Sequence, residues 1–296
     1  MSETRLRSFY PSRLDTWTQC PRRYRFRYLD DPPPPRRGAF AHTTLGAATH
    51  VALARWWELP EVDRTPARVA AAVDDSWTDD GFADASMSAA WRVRAREMVA
   101  AYVEAESRRR ALLVPLGLVE PRRIESSVAL LVDDSLALMG RPDRIDERPT
   151  PEGTELVVVD YKTSRRVPTQ DEARTSRTLA VYAAAAEATL RRPAVRVELH
   201  HLPSGSIAVW RHDDVSRERQ VRRSAQVARD CRAVEAELED GGGSESLFPP
   251  RPSKLCPWCD YRESCPAGME MGPPALPWAA NSSSRTACCR LGKDAE

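Results

Sequence analysis

Apolar positions follow two different periods along this chain, and the change from one to the other divides it. In "SRLDTWTQCPRRYRFRYL" the residues Leu14, Trp17 and Tyr24 recur at near-helical intervals, which predicts one helix over 12–29 with Ser12 as its N-cap. The run "DDPPPPRRG" ends it, because consecutive prolines form an extended connector rather than a helix. A second helix is predicted over His42 to Leu59. In "DASMSAAWRVRAREMVAAYVEAESRRR" a stripe of Trp91, Ala95, Met98 and Tyr102 marks a long helix with one face in a core. From Leu118 the texture becomes strand-like: "LVEPRRIESSVALLV", "LALMGRPDRIDE" and "ELVVVDYKTS" are rich in aliphatic and β-branched residues and are separated by turn signals. A helix at about 171–190, the strands "VRVELHHL" and "IAVWRH", and a charged helix over 213–239 follow. The order predicts an α/β core with helical additions at its N-terminal side.

Composition adds exclusions. The chain has 296 residues, 42% hydrophobic and 29% charged, as in an ordinary globular protein. No run is long and apolar enough for a membrane span, and "MSETRLRSFYPSR" carries no apolar segment of a signal peptide, so a cytoplasmic location is expected. The formal net charge of +1 argues against wholly electrostatic binding of nucleic acid. Charge is unevenly placed, however: residues 1–37 hold nine arginines against four acids. Arg22, Arg23 and Arg25, interleaved with Tyr24, Phe26 and Tyr28, suit either a phosphate-tracking surface or a solvated helix face. Arg108 to Arg110 form a second basic cluster.

The chemistry concentrates in "GRPDRIDERPTPEGTELVVVDYKTS". A hairpin closing between Pro151 and Glu152 pairs residues whose numbers sum to 303, and Asp143 with Asp160 satisfies that sum. Asp160 and Lys162 are two apart on one strand and project from one face, whereas Tyr161 projects from the other. Two facing carboxylates favour a hard cation such as Mg2+ or Mn2+ between them, and an adjacent lysine can orient a water or stabilise charge on a phosphorane. A structural ion pair at a strand end is the plainer alternative.

"GRPDRID" followed by "VVVDYKT" resembles the G-x-x-D and D-x-K motifs of the PD-(D/E)XK nuclease superfamily, in its RecB-like exonuclease branch. "LGAATH" supplies the G-x-x-x-H of that branch through Gly46 and His50. The resemblance implies a restriction-endonuclease-like core with a central mixed sheet. It implies His50, Asp143, Asp160 and the Tyr161 carbonyl as ligands of Mg2+ or Mn2+, and Lys162 as the catalytic lysine. Of the branch's Q-x-x-x-Y, Tyr182 is present, but Thr178 stands in place of Gln. Arg22, Arg23, Arg25 and Arg141 are the candidate DNA contacts.

Near the C-terminus "LCPWCDYRESCPAG" places Cys256, Cys259 and Cys265 in a C-x2-C-x5-C pattern, three ligands where a metal group usually takes four. The AddB-type helicase-nuclease subunits hold a 4Fe-4S cluster with one cysteine before the nuclease motifs and three after them. By that resemblance Cys20 is the fourth ligand, with zinc as the rival occupant. The expected organisation is one nuclease domain over 1–268: a helical part at about 40–110, a catalytic core at about 118–240, and a cluster formed by 20 and 256–265. A disordered tail is expected over 269–296, with Cys288 and Cys289 in it. The expected function is a metal-dependent DNA exonuclease acting on single strands or ends in repair or recombination, any unwinding coming from a helicase partner. The alternatives are a weakly active accessory subunit of a helicase-nuclease or CRISPR-type complex and a zinc-stapled structural protein.

Overall fold

A computed structural model describes residues 6–116 and 121–279. The predicted strand start at Leu118 and the cysteines at 288 and 289 lie outside the described residues. A short strand β1 (Arg7–Phe9) is followed by α1 (Pro11–Gln19) and α2 (Pro21–Tyr28). The single helix expected over 12–29 is thus two. Pro21 cannot donate a helical N–H and pushes Cys20 into extended backbone, so Cys20 ends one helix and begins the next. The N-cap of α1 is Tyr10 and not Ser12, because Pro11 takes the first helical position.

Then come α3 (Ala41–Glu58), α4 (Pro66–Ser76) and α5 (Ala85–Leu113). The strands are β2 (Arg123–Ile124), β3 (Val128–Asp133), β4 (Leu136–Gly140), β5 (Arg144–Thr150) and β6 (Gly153–Lys162). The segment "LALMGRPDRIDE" is therefore two strands, broken at 141–143, where Pro142 cannot serve a ladder. The helix expected over 171–190 is also divided, into α6 (Gln170–Thr175) and α7 (Arg177–Leu190). Ser176 starts α7 by accepting the Leu179 N–H. The chain continues through β7 (Arg196–His201), β8 (Ser206–Arg211), α8 (Asp214–Glu239), α9 (Ser244–Leu247) and α10 (Pro266–Met269).

The strands form two sheets. Five are ordered β2-β5-β6-β7-β8, with β6 and β7 parallel and the other neighbours antiparallel, so the central sheet is mixed as expected. Three more are ordered β1-β4-β3. In the β5–β6 hairpin Arg144 pairs with Val159 and Ile145 with Val158, which is the register summing to 303. The middle strand is buried from Glu155 to Tyr161: Val157, Val159 and Tyr161 pack with α3, α4 and α5, while Leu156 and Val158 pack with α6 and α7. A near-continuous apolar strand covered on both faces is what a parallel pair requires. The same alternation that buries these valines presents Asp160 and Lys162 at the strand's end.

The C-terminal segment returns to the beginning of the chain. Within the segment expected as a tail, Ala275 donates to the Pro257 carbonyl, Arg37 to that of Ala275, and the Ala41 N–H, first of α3, to that of Pro277 (2.9, 2.8 and 3.0 Å). These bonds supply acceptors that a Pro-rich composition does not advertise.

Candidate active site

Three elements meet at the C-terminal end of β6. Helix α3 brings His50, the turn before β5 brings Asp143, and β6 brings Asp160 and Lys162. Asp143 Oδ2 accepts the Tyr161 backbone N–H at 2.6 Å, and its Oδ1 lies 3.1 Å from His50 Nδ1. The carboxylate is thereby aimed by the strand that carries the other acid. Lys162 Nζ stands 2.5 Å from Asp160 Oδ2.

A third acid joins them that no motif in the sequence marks. Glu125 directly follows β2, whose two pairs with β5 place the Glu125 N–H on the Asp143 carbonyl at 3.1 Å. Its φ of +44° is a left-handed conformation that a non-glycine residue keeps only when its surroundings hold it there. Ligand atoms of His50, Glu125 and Asp143 lie within 4.8 Å of one another, the only such trio among the described residues. Asp160 is outside the trio and beside it, paired to its lysine.

The electrostatics match a site built for a cation. Burial raises the pKa of Asp160, the charge of Asp143 raises it further, and Lys162 opposes both. Glu125 is raised by burial and then by Asp143. For His50 burial favours the neutral ring, but the hydrogen bond to Asp143 and the surrounding acids outweigh it and the pKa is raised. Burial likewise opposes the Lys162 charge, and Asp160 overcomes it, so the amine is held as ammonium. One imidazole nitrogen and several hard carboxylate oxygens are a donor set suited to Mg2+ or Mn2+.

Tyr182, on α7, has its hydroxyl hydrogen-bonded to the Arg141 backbone and its pKa raised, by burial first and then by Asp160 and Asp143. Its ring explains the glycine of G-x-x-D: a Cβ at Gly140 would stand 2.6 Å from Tyr182 Cδ1. Thr178 lies half-buried in the first turn of α7. Tyr161, between the two site residues, turns its side chain away, where its hydroxyl accepts from Trp57 Nε1 at 3.0 Å.

Of the arginines read as DNA contacts, Arg22 and Arg25 pair with Glu245, Arg25 also with Asp30, and Arg23 with Asp260. These guanidinium groups hold the N-terminal helices to the C-terminal segment. Arg141 is 62% exposed and lies at the site, 3.0 Å from Glu125 Oε2.

Cys20, Cys256, Cys259 and Cys265 all line one cavity beneath α2. The Arg251 N–H points at Cys20 Sγ (3.4 Å) and the Ser253 N–H at Cys256 Sγ (3.3 Å). The four cysteines are thus brought together across the whole length of the domain.

No curated protein matches the chain. A solved structure of the protein SSO0001 aligns over 91% of this chain and 89% of its own, at 12% identity and a TM-score of 0.34. A family model described as the PD-(D/E)XK nuclease superfamily matches residues 8–266. That span takes in the site from His50 to Lys162 as well as the four cysteines, and the chain belongs to the PD-(D/E)XK nuclease superfamily, whose members hydrolyse phosphodiester bonds with divalent metal ions.

Proposed function

We propose that the protein is a RecB-like DNA exonuclease that acts on single strands or DNA ends, and that it carries a 4Fe-4S cluster. The observation that carries the catalytic reading is the meeting of His50, Asp143 and Glu125 with the Asp160–Lys162 pair at the end of one buried strand. His50, Asp143 and Asp160 would hold Mg2+ or Mn2+, with the Tyr161 carbonyl as a further ligand. When bound, the cation lowers the pKa of water and offsets charge on the phosphoryl oxygens. Lys162, kept as ammonium by Asp160, suits orienting the attacking water and stabilising negative charge rather than taking a proton. Tyr182 props the loop that presents Asp143.

Replacing Asp160 or Lys162 by Ala should lower Mg2+-dependent degradation of labelled single-stranded DNA by about 100-fold or more. Unchanged cleavage in either variant would remove the assignment. Thr178, in place of the branch's Gln, favours one second reading: a weakly active subunit that binds DNA beside a helicase. That reading predicts strand binding without Mn2+-stimulated cleavage.

For the cysteines, a zinc tetrathiolate with Zn–S of about 2.3 Å brings its sulfurs to roughly 3.8 Å of one another. The four cysteines line one cavity and could hold either group, so metal analysis separates them. Anaerobically purified protein should contain iron and acid-labile sulfide, lost equally in Cys20→Ala and Cys265→Ala. Stoichiometric zinc without either would refute the cluster.

A further inference from the structure

Each acid at the end of β6 has one basic partner of its own. His50 stands 3.1 Å from Asp143, Lys162 2.5 Å from Asp160, and Arg141 3.0 Å from Glu125. The first partner is itself a candidate ligand. The other two are side chains partly open to water, Lys162 at 44% and Arg141 at 62% exposure, whereas the acids they neutralise are mostly buried. A divalent cation among the acids satisfies the charge these two now satisfy, and neither can keep its carboxylate at full strength once the cation competes for it.

Arg141 is well placed for a second use. Its backbone is fixed by the Tyr182 hydroxyl and followed by Pro142, so its Cα does not have to move. Its guanidinium now donates through Nε to the Glu125 carbonyl at 2.8 Å and faces the Glu125 carboxylate. It lies two residues from Asp143, on the rim of the site. A guanidinium can bind a phosphate through two donors, which a single carboxylate oxygen does not exhaust.

Building on the nuclease reading, we infer that Arg141 is a substrate-binding residue that exchanges partners: it neutralises Glu125 in the free protein and turns to a phosphate of the nucleic-acid strand when a divalent cation takes over Glu125. Metal and strand therefore bind with positive coupling, since each releases what the other needs. Glu125 completes the cation site only in that state.

The test compares wild type with Arg141→Gln and Arg141→Lys. Mn2+ binding is read by electron paramagnetic resonance without DNA. Binding of a fluorescent oligothymidylate is read with Ca2+ in place of Mg2+, over a series of salt concentrations. Arg141→Gln should bind Mn2+ more tightly than wild type, because Glu125 is already free. It should bind the strand about tenfold more weakly. The slope of log affinity against log salt should become shallower by about 0.7, the loss of one phosphate contact on a single strand. Arg141→Lys should retain the wild-type slope. Equal Mn2+ affinity and equal slope in wild type and Arg141→Gln would overturn the exchange, as would a parallel loss of both affinities at unchanged slope, which is what misfolding of the rim produces. Wild-type protein that binds neither Mn2+ nor the strand overturns the nuclease reading as well.

Discussion

Two regions beside β6, its flank toward α5 and its C-terminal end, carry the same kinds of residue and use them in opposite ways. On the side toward α5, Arg144 is fully buried, 3.0 Å from both Glu106 Oε1 and Asp146 Oδ2, and lies over the Trp57 ring at 4.8 Å. Glu106 also receives Arg109, and His200 is buried between Tyr102 and Glu198. Each acid there has at least one base enclosed with it, Arg144 for Glu106 and Asp146 and His200 for Glu198. At the strand end the acids are less completely enclosed, and they are paired with bases that reach water. An ion pair closed on both sides fixes structure, and one open on its cationic side can be traded for a metal and a phosphate. Exposure of the base, more than that of the acid, tells the two apart.

The sharpest way to break this comparison is to remove one base from each region and follow urea denaturation of the metal-free protein. Arg144→Ala takes from buried Glu106 and Asp146 the base they share and should cost about 3–5 kcal/mol. Lys162→Ala removes a pair just as short, yet should cost less than about 1 kcal/mol. Equal losses would erase the distinction.

A smaller effect of opposite sign in the two regions should appear in stability against pH, measured as Tm in the presence of chelator. Burial alone would raise Glu106, but Arg144 and Arg109 hold it down to about 2, against an ordinary 4.5. Its contribution is complete above pH 4.5 and is lost as the pH falls toward about 2. His50 has a raised pKa, so the contribution of its charged pair with Asp143 is complete below 6.5 and is lost as the pH rises through the raised value. Glu106→Gln should flatten the acid limb alone, and His50→Asn the neutral limb alone.

Much of the site was legible in the chain because it is local. The hairpin register followed from one turn, and the period of two then put Asp160 and Lys162 together and Tyr161 opposite. The G-x-x-D glycine was legible as a motif, but its reason, the Tyr182 ring pressed on it, lies on another helix. Glu125 was not legible. It sits 18 residues before Asp143 (143 minus 125) in irregular backbone, and only the two pairs of β2 with β5 bring it in. The arginines of α2 carried a misleading pattern. Their aromatic neighbours suggested stacked bases, while their acids, Glu245 and Asp260, come from more than 200 residues away. Pro21 was the visible sign that α1 and α2 are separate.

The bond from Ala41 N–H to the Pro277 carbonyl has a consequence for how the molecule is made. The helix that bears His50 leaves the ribosome 236 residues (277 minus 41) before the acceptor for its first amide. A nascent or prematurely ended chain therefore has the G-x-x-D and D-x-K motifs without the segment that caps that helix. A segment made late thus caps a helix made early, and that amide finds its acceptor only in chains translated past residue 277.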